Sequence, residues 1–400
     1  MAMDQSLDRR AMLAWSGGAI IRTVGGGRVR AMGATASLPD GDAYSPWQLW
    51  NTPSLRGTPL ALVAAAVLAA NPHDTQPWLF QVSDSAIEIF ADASRNLGAM
   101  DAFLREMHLG LGCAIENAVL AAGQNGYAVE LETVPGTLTA ITDRRSALHA
   151  ATLHLTRIAQ PIAPDALYGA IPKRHTNRYP YDRAKRLPTA WAEFASHANI
   201  NDDVRLFLFA DGPQRALFDA AVVDATQAII ADAQMIADSD HWFRTSRDEI
   251  EAHRDGPTLD AAGLSSLTLL LAKTFPVSTE ASHQGWLSQT RDRQVPSAPR
   301  TGFIAVRDRY DRGMAIAAGR TWQRLHLNAT VNGVAMQPLN QPIEMIDREK
   351  QRGTGTDWAR RVEALTSSPD WQATFAFRAG MPLDNAPPSP RRALKDVLLG

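Results

Sequence analysis

The chain has 400 residues, 45% of them hydrophobic, enough to bury a large core in two or three domains or in one two-lobed unit. Its 40 Lys and Arg residues nearly balance 42 Asp and Glu, so the charge gives no reason to expect a nucleic-acid partner or attachment to a broad acidic surface. A single cysteine, Cys113, excludes an intramolecular disulfide and a multi-cysteine metal centre, and its place in the helical run Gly110 to Gly126 marks it as a small buried filler.

Residues 1–36 read as a twin-arginine (Tat) export signal or as a disordered tail. Arg9-Arg10 precede the apolar stretch from Ala11 to Ile21, and Ala34-Thr35-Ala36 supplies small residues for cleavage, while Arg22, Arg28 and Arg30 interrupt the interval. A working signal implies the Tat translocase as a partner and a periplasmic or exported location; a tail implies a cytoplasmic one. Gly25-Gly26-Gly27 has no strand before it and reads as flexible leader. No other segment offers the roughly 18 apolar residues of a transmembrane helix.

Residues 37–57, with Pro39, Gly41, Pro46, Pro53 and Gly57, form a loop-rich lead-in. A helix follows as far as Ala70, with Thr58 as N-cap and Pro59 in its first turn. Then comes Asn71-Pro72-His73-Asp74-Thr75-Gln76-Pro77-Trp78. Two prolines fix the backbone and withhold NH groups while five polar side chains stand beside an indole. The stretch suits a turn that holds a flat, polar-edged ring, or equally a connection whose Trp78 packs into the core. Strands are predicted over Leu79–Val82 and Ala86–Phe90, with Ser83-Asp84-Ser85 as the turn between them. A helix over Asp101–Gln124 stops at Asn125-Gly126, where glycine supplies the left-handed cap. Tyr127–Val134 and Ala150–Leu155 read as strands.

A short helical segment within residues 156–172 leads to Arg174-His175-Thr176-Asn177-Arg178, which could offer guanidinium forks and a hydroxyl to a phosphate, or be a solvated basic turn. Val204–Phe209 is a predicted strand and Gln214–Ala237 a long Ala-rich helix. Residues 239–300 are irregular and read as an insertion. After a strand over Gly302–Val306 and a helix over Met314–Val331, an extended, proline-stiffened segment runs from Gly333 to Glu344. A strand over Thr374–Arg378 and a Pro-rich tail with Arg391-Arg392 close the chain. Shifting the sequence by 207 places Gly112 on Gly319, Leu120 on Leu327, Ala122 on Ala329, Asn125 on Asn332 and Gly126 on Gly333. The elements around them follow in parallel order, so the chain reads as two α+β halves packed face to face, equivalent to a homodimer in one chain. The histidines show no HExxH or other metal spacing, and no zinc is expected.

Thr75-Gln76-Pro77-Trp78 resembles the helix-to-strand signature of the nitroreductase superfamily, flavin-dependent oxidoreductases in which such a segment lies against FMN. Asp74 departs from the pattern by standing where asparagine is usual. An acid there repels a flavin edge or phosphate unless it is protonated, turned away or paired with an arginine. The Arg174–Arg178 run is similar to the basic run that contacts FMN in that superfamily, the Gly333–Glu344 stretch to the backbone that borders the isoalloxazine, and Arg391-Arg392 to the basic pair that returns to the phosphate. The resemblance thus implies FMN contacts from Pro72, His73, Asp74, Gln76, Arg174, His175, Thr176, Arg178, Gln337, Pro338, Leu339, Arg391 and Arg392, with no catalytic side chain and no metal ligand.

The first half holds the Gln-Pro-Trp turn and the second the arginines, so one site per chain is expected. That asymmetry resembles the Acg type, a fused pseudo-dimer of nitroreductase-like α+β fold, and the resemblance covers roughly residues 50–395. It implies a first half over 37–172 and a second over 173–400, with a lid insertion at about 239–300. It also implies that hydride passes from NAD(P)H through FMN to a nitroaromatic, quinone or similar small-molecule electron acceptor. Two alternatives stay open: a non-enzymatic protein that sequesters FMN under its lid, and a relic in which Asp74 marks lost FMN binding.

Overall fold

Two long helices, Arg105–Ala122 and Arg312–Val331, pack against each other at positions where no side chain intervenes. A Cβ on Gly112 would overlap the carbonyl oxygen of Ile316, and a Cβ on Gly319 would overlap that of Leu109. The contact is reciprocal under the 207-residue shift, the isologous pattern of a two-fold pair realised inside one chain. Cys113 sits in the same seam, its thiol donating to the Gly319 carbonyl at 3.2 Å; burial pushes it up to about 12, in keeping with a packing role. Buried Glu116 accepts from Arg320 at 2.8 Å and from Arg324 at 2.7 Å across the helix pair.

The computed structural model describes residues 38, 40–140, 145–196, 202–274, 278–366, 368 and 370–400; the twin-arginine segment lies outside them. Strands β1 (Trp78–Val82), β2 (Ala86–Asp92), β3 (Tyr127–Thr133) and β4 (Ala147–Arg157) form an antiparallel sheet in the order β1-β2-β4-β3. Along β2, buried Ile87, Ile89 and Ala91 alternate with partly exposed neighbours, so one face meets the core. Strands β5 (Val204–Phe209), β6 (Arg300–Val306), β7 (Ala335–Pro338) and β8 (Gln372–Gly380) repeat that order as β5-β6-β8-β7. Even the irregularity repeats. The register slips once between the second and fourth strands of each sheet, at Ile89/Phe90 and at Ile304/Ala305.

The C-terminal segment crosses back to the first sheet. Phe80 donates to Val397 O and Leu399 donates to Phe80 O, both at 2.8 Å, so the tail runs along the free edge of β1. This route carries Arg391 and Arg392 to the turn that precedes β1.

Three sequence expectations need correction. The predicted Gln214–Ala237 helix is two helices, Pro213–Ala231 and Ala233–Asp240. Asp232 leaves helical space, and its carboxylate caps the second by accepting from the Gln234 and Met235 NH groups. The extended reading of Gly333–Glu344 holds only through β7; Gln341–Arg352 is a helix, with Pro342 in its first turn where a missing NH costs nothing. The Asp101 helix starts at Arg105 after a separate 3₁₀ turn over Gly98–Asp101. Among the described residues no helix is long and apolar enough to cross a membrane.

Candidate functional site

The helix Pro59–Ala66 delivers the chain to the turn Asn71–Gln76, where the backbone is strained. His73 (φ 45), Asp74 (φ 49) and Gln76 (φ 51) all occupy the left-handed region without being glycine. Each costs roughly 1–3 kcal/mol and persists only where its surroundings impose it. Here three stretches of chain do so. Within the turn, Gln76 N donates to Asn71 Oδ1 at 2.7 Å. From the insertion, Gly256 N donates to Asp74 O at 3.2 Å, and Arg254 O accepts from Gln76 Nε2 at 2.8 Å. From the tail, Arg392 N donates to Gln76 Oε1 at 2.7 Å and its Nη1 to Gln76 O at 3.1 Å.

Two guanidiniums converge behind the turn. Arg174 Nη2 donates to Leu68 O at 3.0 Å and Arg391 Nη2 to Ala69 O at 3.2 Å, so they grip consecutive carbonyls. Both arginines are buried. Arg391 Nη1 also pairs with the Asp74 carboxylate and donates to Ser389 Oγ at 2.6 Å, while its guanidinium lies 4.7 Å from the Trp47 ring centroid. Burial pushes Arg174 down to about 9, and the charge of Arg391 pushes it the same way. Burial raises the Asp74 carboxyl to about 7 against the opposing pull of Arg391 and Asn71. It lowers His73 to about 4 and His175 to about 3, with Arg178 adding to the first and Arg174 to the second, so both imidazoles are neutral near pH 7.

Among the described residues, several buried side-chain atoms without a hydrogen-bond partner belong to this turn and its arginines. They include Asp74 Oδ2, Thr75 Oγ1, Arg174 Nε, His175 Nδ1 and Arg391 Nε. Buried polar groups in folded proteins are overwhelmingly satisfied, so such a concentration points to a polar ligand.

The other sequence-predicted residues divide in two. Pro72 opens the turn, His73 Nε2 meets Ser239 Oγ at 3.0 Å, and Arg178 Nη1 donates to Ala261 O at 3.2 Å, the last two tying the site to the insertion. His175 stacks edge-on against Trp47 at 4.7 Å, with partly exposed Thr176 following it. Arg392 is committed to the Gln76 and Trp78 carbonyls. Gln337 and Leu339 are held by partners of their own. Gln337 bonds Gln294 at 3.1 Å and Arg378 at 2.6 Å, and Leu339 is buried in the second core with its NH already spent on Ala376 O. Their strand meets the basic run directly where Asn177 N donates to Met336 O at 3.1 Å, and further through Arg378, which donates to Tyr179 O at 2.8 Å, and Gln294, which donates to Arg178 O at 3.5 Å. Pro338, the last residue of β7, provides no such link. Trp78 is fully buried, so its indole packs into the core while the polar residues of the turn before it form the site.

Sequence reasoning missed Trp47, Arg95, Arg244 and Asp255. Asp255 accepts from Arg244 at 2.9 and 2.6 Å and pairs with Arg95, which also donates to Thr75 O. Arg254-Asp255-Gly256-Pro257 is visible in the sequence as a turn, but nothing local reveals that it lies against residue 74.

Two four-strand sheets of one topology about a glycine-seamed helix pair, with buried arginines at a strained turn, define an α+β protein of internally repeated architecture. No protein-family model matches the chain. In sequence it is similar to proteins named as putative nitroreductases. It is 25% identical over 347 residues, 84% of this chain and 90% of the relative, to the Mycobacterium tuberculosis protein named "Putative NAD(P)H nitroreductase Rv3131". It is 23% identical over 290 residues, 71% of this chain and 80% of the relative, to "Putative NAD(P)H nitroreductase acg" of the same species. Among solved structures, the FMN-dependent nitroreductase NfnB from Mycobacterium smegmatis, in complex with NADPH, aligns at 18% identity over 58% of this chain and 91% of that one, with a TM-score of 0.35. A "putative nitroreductase" from Anabaena variabilis aligns at 13% identity over 74% of this chain and 69% of that one, with a TM-score of 0.42.

Proposed function

We propose that the chain is an FMN-dependent NAD(P)H oxidoreductase that reduces a nitroaromatic, quinone or similar small acceptor. The observation that carries this reading is the pair Arg174 and Arg391, buried side by side with their Nε atoms unused, next to a turn held in left-handed conformation. The names of the M. tuberculosis relatives support it independently. The donor set fits a flavin phosphate. Arg174 and Arg391 supply charge, and Thr75 Oγ1 and His175 Nδ1 are further polar atoms awaiting partners. Bound FMN supplies the two-electron chemistry itself.

The chain's own residues bind, orient and exclude water. The Pro72–Gln76 turn would border the flavin, and His73 and His175 are uncharged. Gln337 is held by Arg378 and fixes the backbone of the basic run rather than reaching the phosphate. We read residues 37–172 and 173–400 as fused halves equivalent to a homodimer, and about 239–300 as a lid. Residues 1–36 are assigned as the export signal; exchanging Arg9 and Arg10 for lysine should hold a fused reporter in the cytoplasm.

A second reading, FMN sequestration without turnover, is favoured by the clamp of the insertion on the turn through Arg254, Asp255 and Gly256. Purified protein should be yellow and release FMN on denaturation; a colourless protein that cannot be reconstituted ends both readings. Rapid bleaching of the oxidised-flavin band on mixing with NADPH or NADH supports turnover, and a band that stays oxidised supports sequestration.

A further inference from the structure

Arg391 offers five NH donors, and four of its hydrogen bonds are accounted for. Nη1 serves the Asp74 carboxylate, Ser389 Oγ and Pro390 O, and Nη2 serves Ala69 O. Asp74 is itself a charge inside a site built from cations. Its Cα is pinned by positive φ values on both sides of Thr75 and by Gly256 donating to its carbonyl, and its carboxyl meets Arg391 through Oδ1 while Oδ2 has no partner. We propose that Asp74 is an internal stand-in for a phosphate, competing for Arg391, and that a phosphate-bearing flavin binds by displacing this carboxylate and leaving it protonated. The proposal rests on the FMN reading above.

Charge counting sets the direction. Arg174 and Arg391 carry two positive charges, which a phosphate dianion cancels. A carboxylate left beside it makes the group net negative in a buried place, whereas a protonated Asp74 leaves it neutral. The proton comes from solvent and ends on an Asp74 oxygen, which removes the charge that the guanidinium had balanced. Asn71 Nδ2, 3.3 Å from Oδ1, stays as a donor to the displaced group.

The titratable groups around Asp74 and its neighbouring arginines do not titrate in the same window. Tyr44 of the lead-in is raised by burial, Cys113 of the central helix is pushed up to about 12, and His73, His175 and His326 are all lowered by burial. Arg174 and Arg178 stay cationic at neutral pH although burial lowers both. Asp255 of the insertion is already held by Arg95 and Arg244. Only the Asp74 carboxyl, raised to about 7, changes state between pH 6 and 8, beside the ligand's own second phosphate ionisation near pH 6.

The test measures the affinity of the full chain for FMN and for riboflavin, by quenching of flavin fluorescence, from pH 6 to 8. The native protein should lose about fivefold in FMN affinity across that range, about tenfold from a site that must be protonated with a pKa of 7, offset about twofold by the growing share of phosphate dianion. Asp74→Asn should gain about twofold in FMN affinity over the same range and bind about tenfold more tightly than native at pH 8, and riboflavin should show no trend with either protein. Calorimetry of native protein at pH 8, in two buffers of different ionisation enthalpy, should find close to one proton taken up per FMN. That measurement decides the matter even if the variant does not fold. Equal pH courses for native and Asp74→Asn, a matching trend with riboflavin, or no proton uptake overturns the proposal while leaving the FMN reading intact. Absence of FMN binding by both folded proteins overturns the two together.

Discussion

At the scale of single residues, Asp74 couples the fold to pH. Its folded pKa is raised above the ordinary carboxyl value, so its favourable contribution is complete below about pH 4 and is lost as pH rises through about 7. One proton is involved, which limits the slope to about 1.4 kcal/mol per pH unit. Stability measured by denaturant between pH 6 and 8 should therefore fall more steeply for native protein than for Asp74→Asn. Parallel curves would mean that the carboxyl is already ionised at pH 6. The comparison must be between variants, because Glu106, raised to about 8 by burial, titrates in the same range at a separate cluster around Arg105. Sequence showed that an acid stood in an unusual place and named pairing with arginine among its remedies. Which arginine, 317 positions away, only the folded chain could say.

Among the elements, the helix crossing and the clamp of the insertion make separate demands. Gly112→Ala or Gly319→Ala puts a methyl group into a backbone carbonyl that cannot rotate aside, and either should lower stability by about 1–3 kcal/mol in chemical denaturation. Near-native stability in both would mean that the helices do not meet there. Asp255→Asn leaves Arg95 and Arg244 sharing a neutral partner in a buried place. It should speed FMN release and proteolysis within residues 239–300 together; faster release with unchanged proteolysis would separate the clamp from the insertion's mobility. The glycine pair was legible from the sequence because a repeat aligns like with like. The Gln341–Arg352 helix was not, because Pro342 reads equally well as a stiffener of extended chain and as the first turn of a helix.

Taken whole, the molecule is symmetric in its scaffold and asymmetric in its polar residues. The sheets share an order and a register slip, yet the strained turn occurs before β1 and the buried arginines come from the second half. One FMN per 43.5 kDa chain is the expected stoichiometry, measured from flavin absorbance against amino-acid analysis, and two per chain would mean that a second site survives. This asymmetry was readable from motif order alone. The path that brings the tail to β1 was not, since a proline-rich ending reads locally as frayed.

That path bears on how the protein can be made. Translation finishes the acid-bearing turn long before it reaches Arg391 or the residues that cover β1, so the first half must wait with an unsatisfied carboxyl and a bare strand edge. Expressed by itself it should clump, and supplying residues 173–400 from a second gene should return it to solution. An early stop codon or a protease cut before residue 391 would spoil the ligand site and the solubility of the product in one stroke.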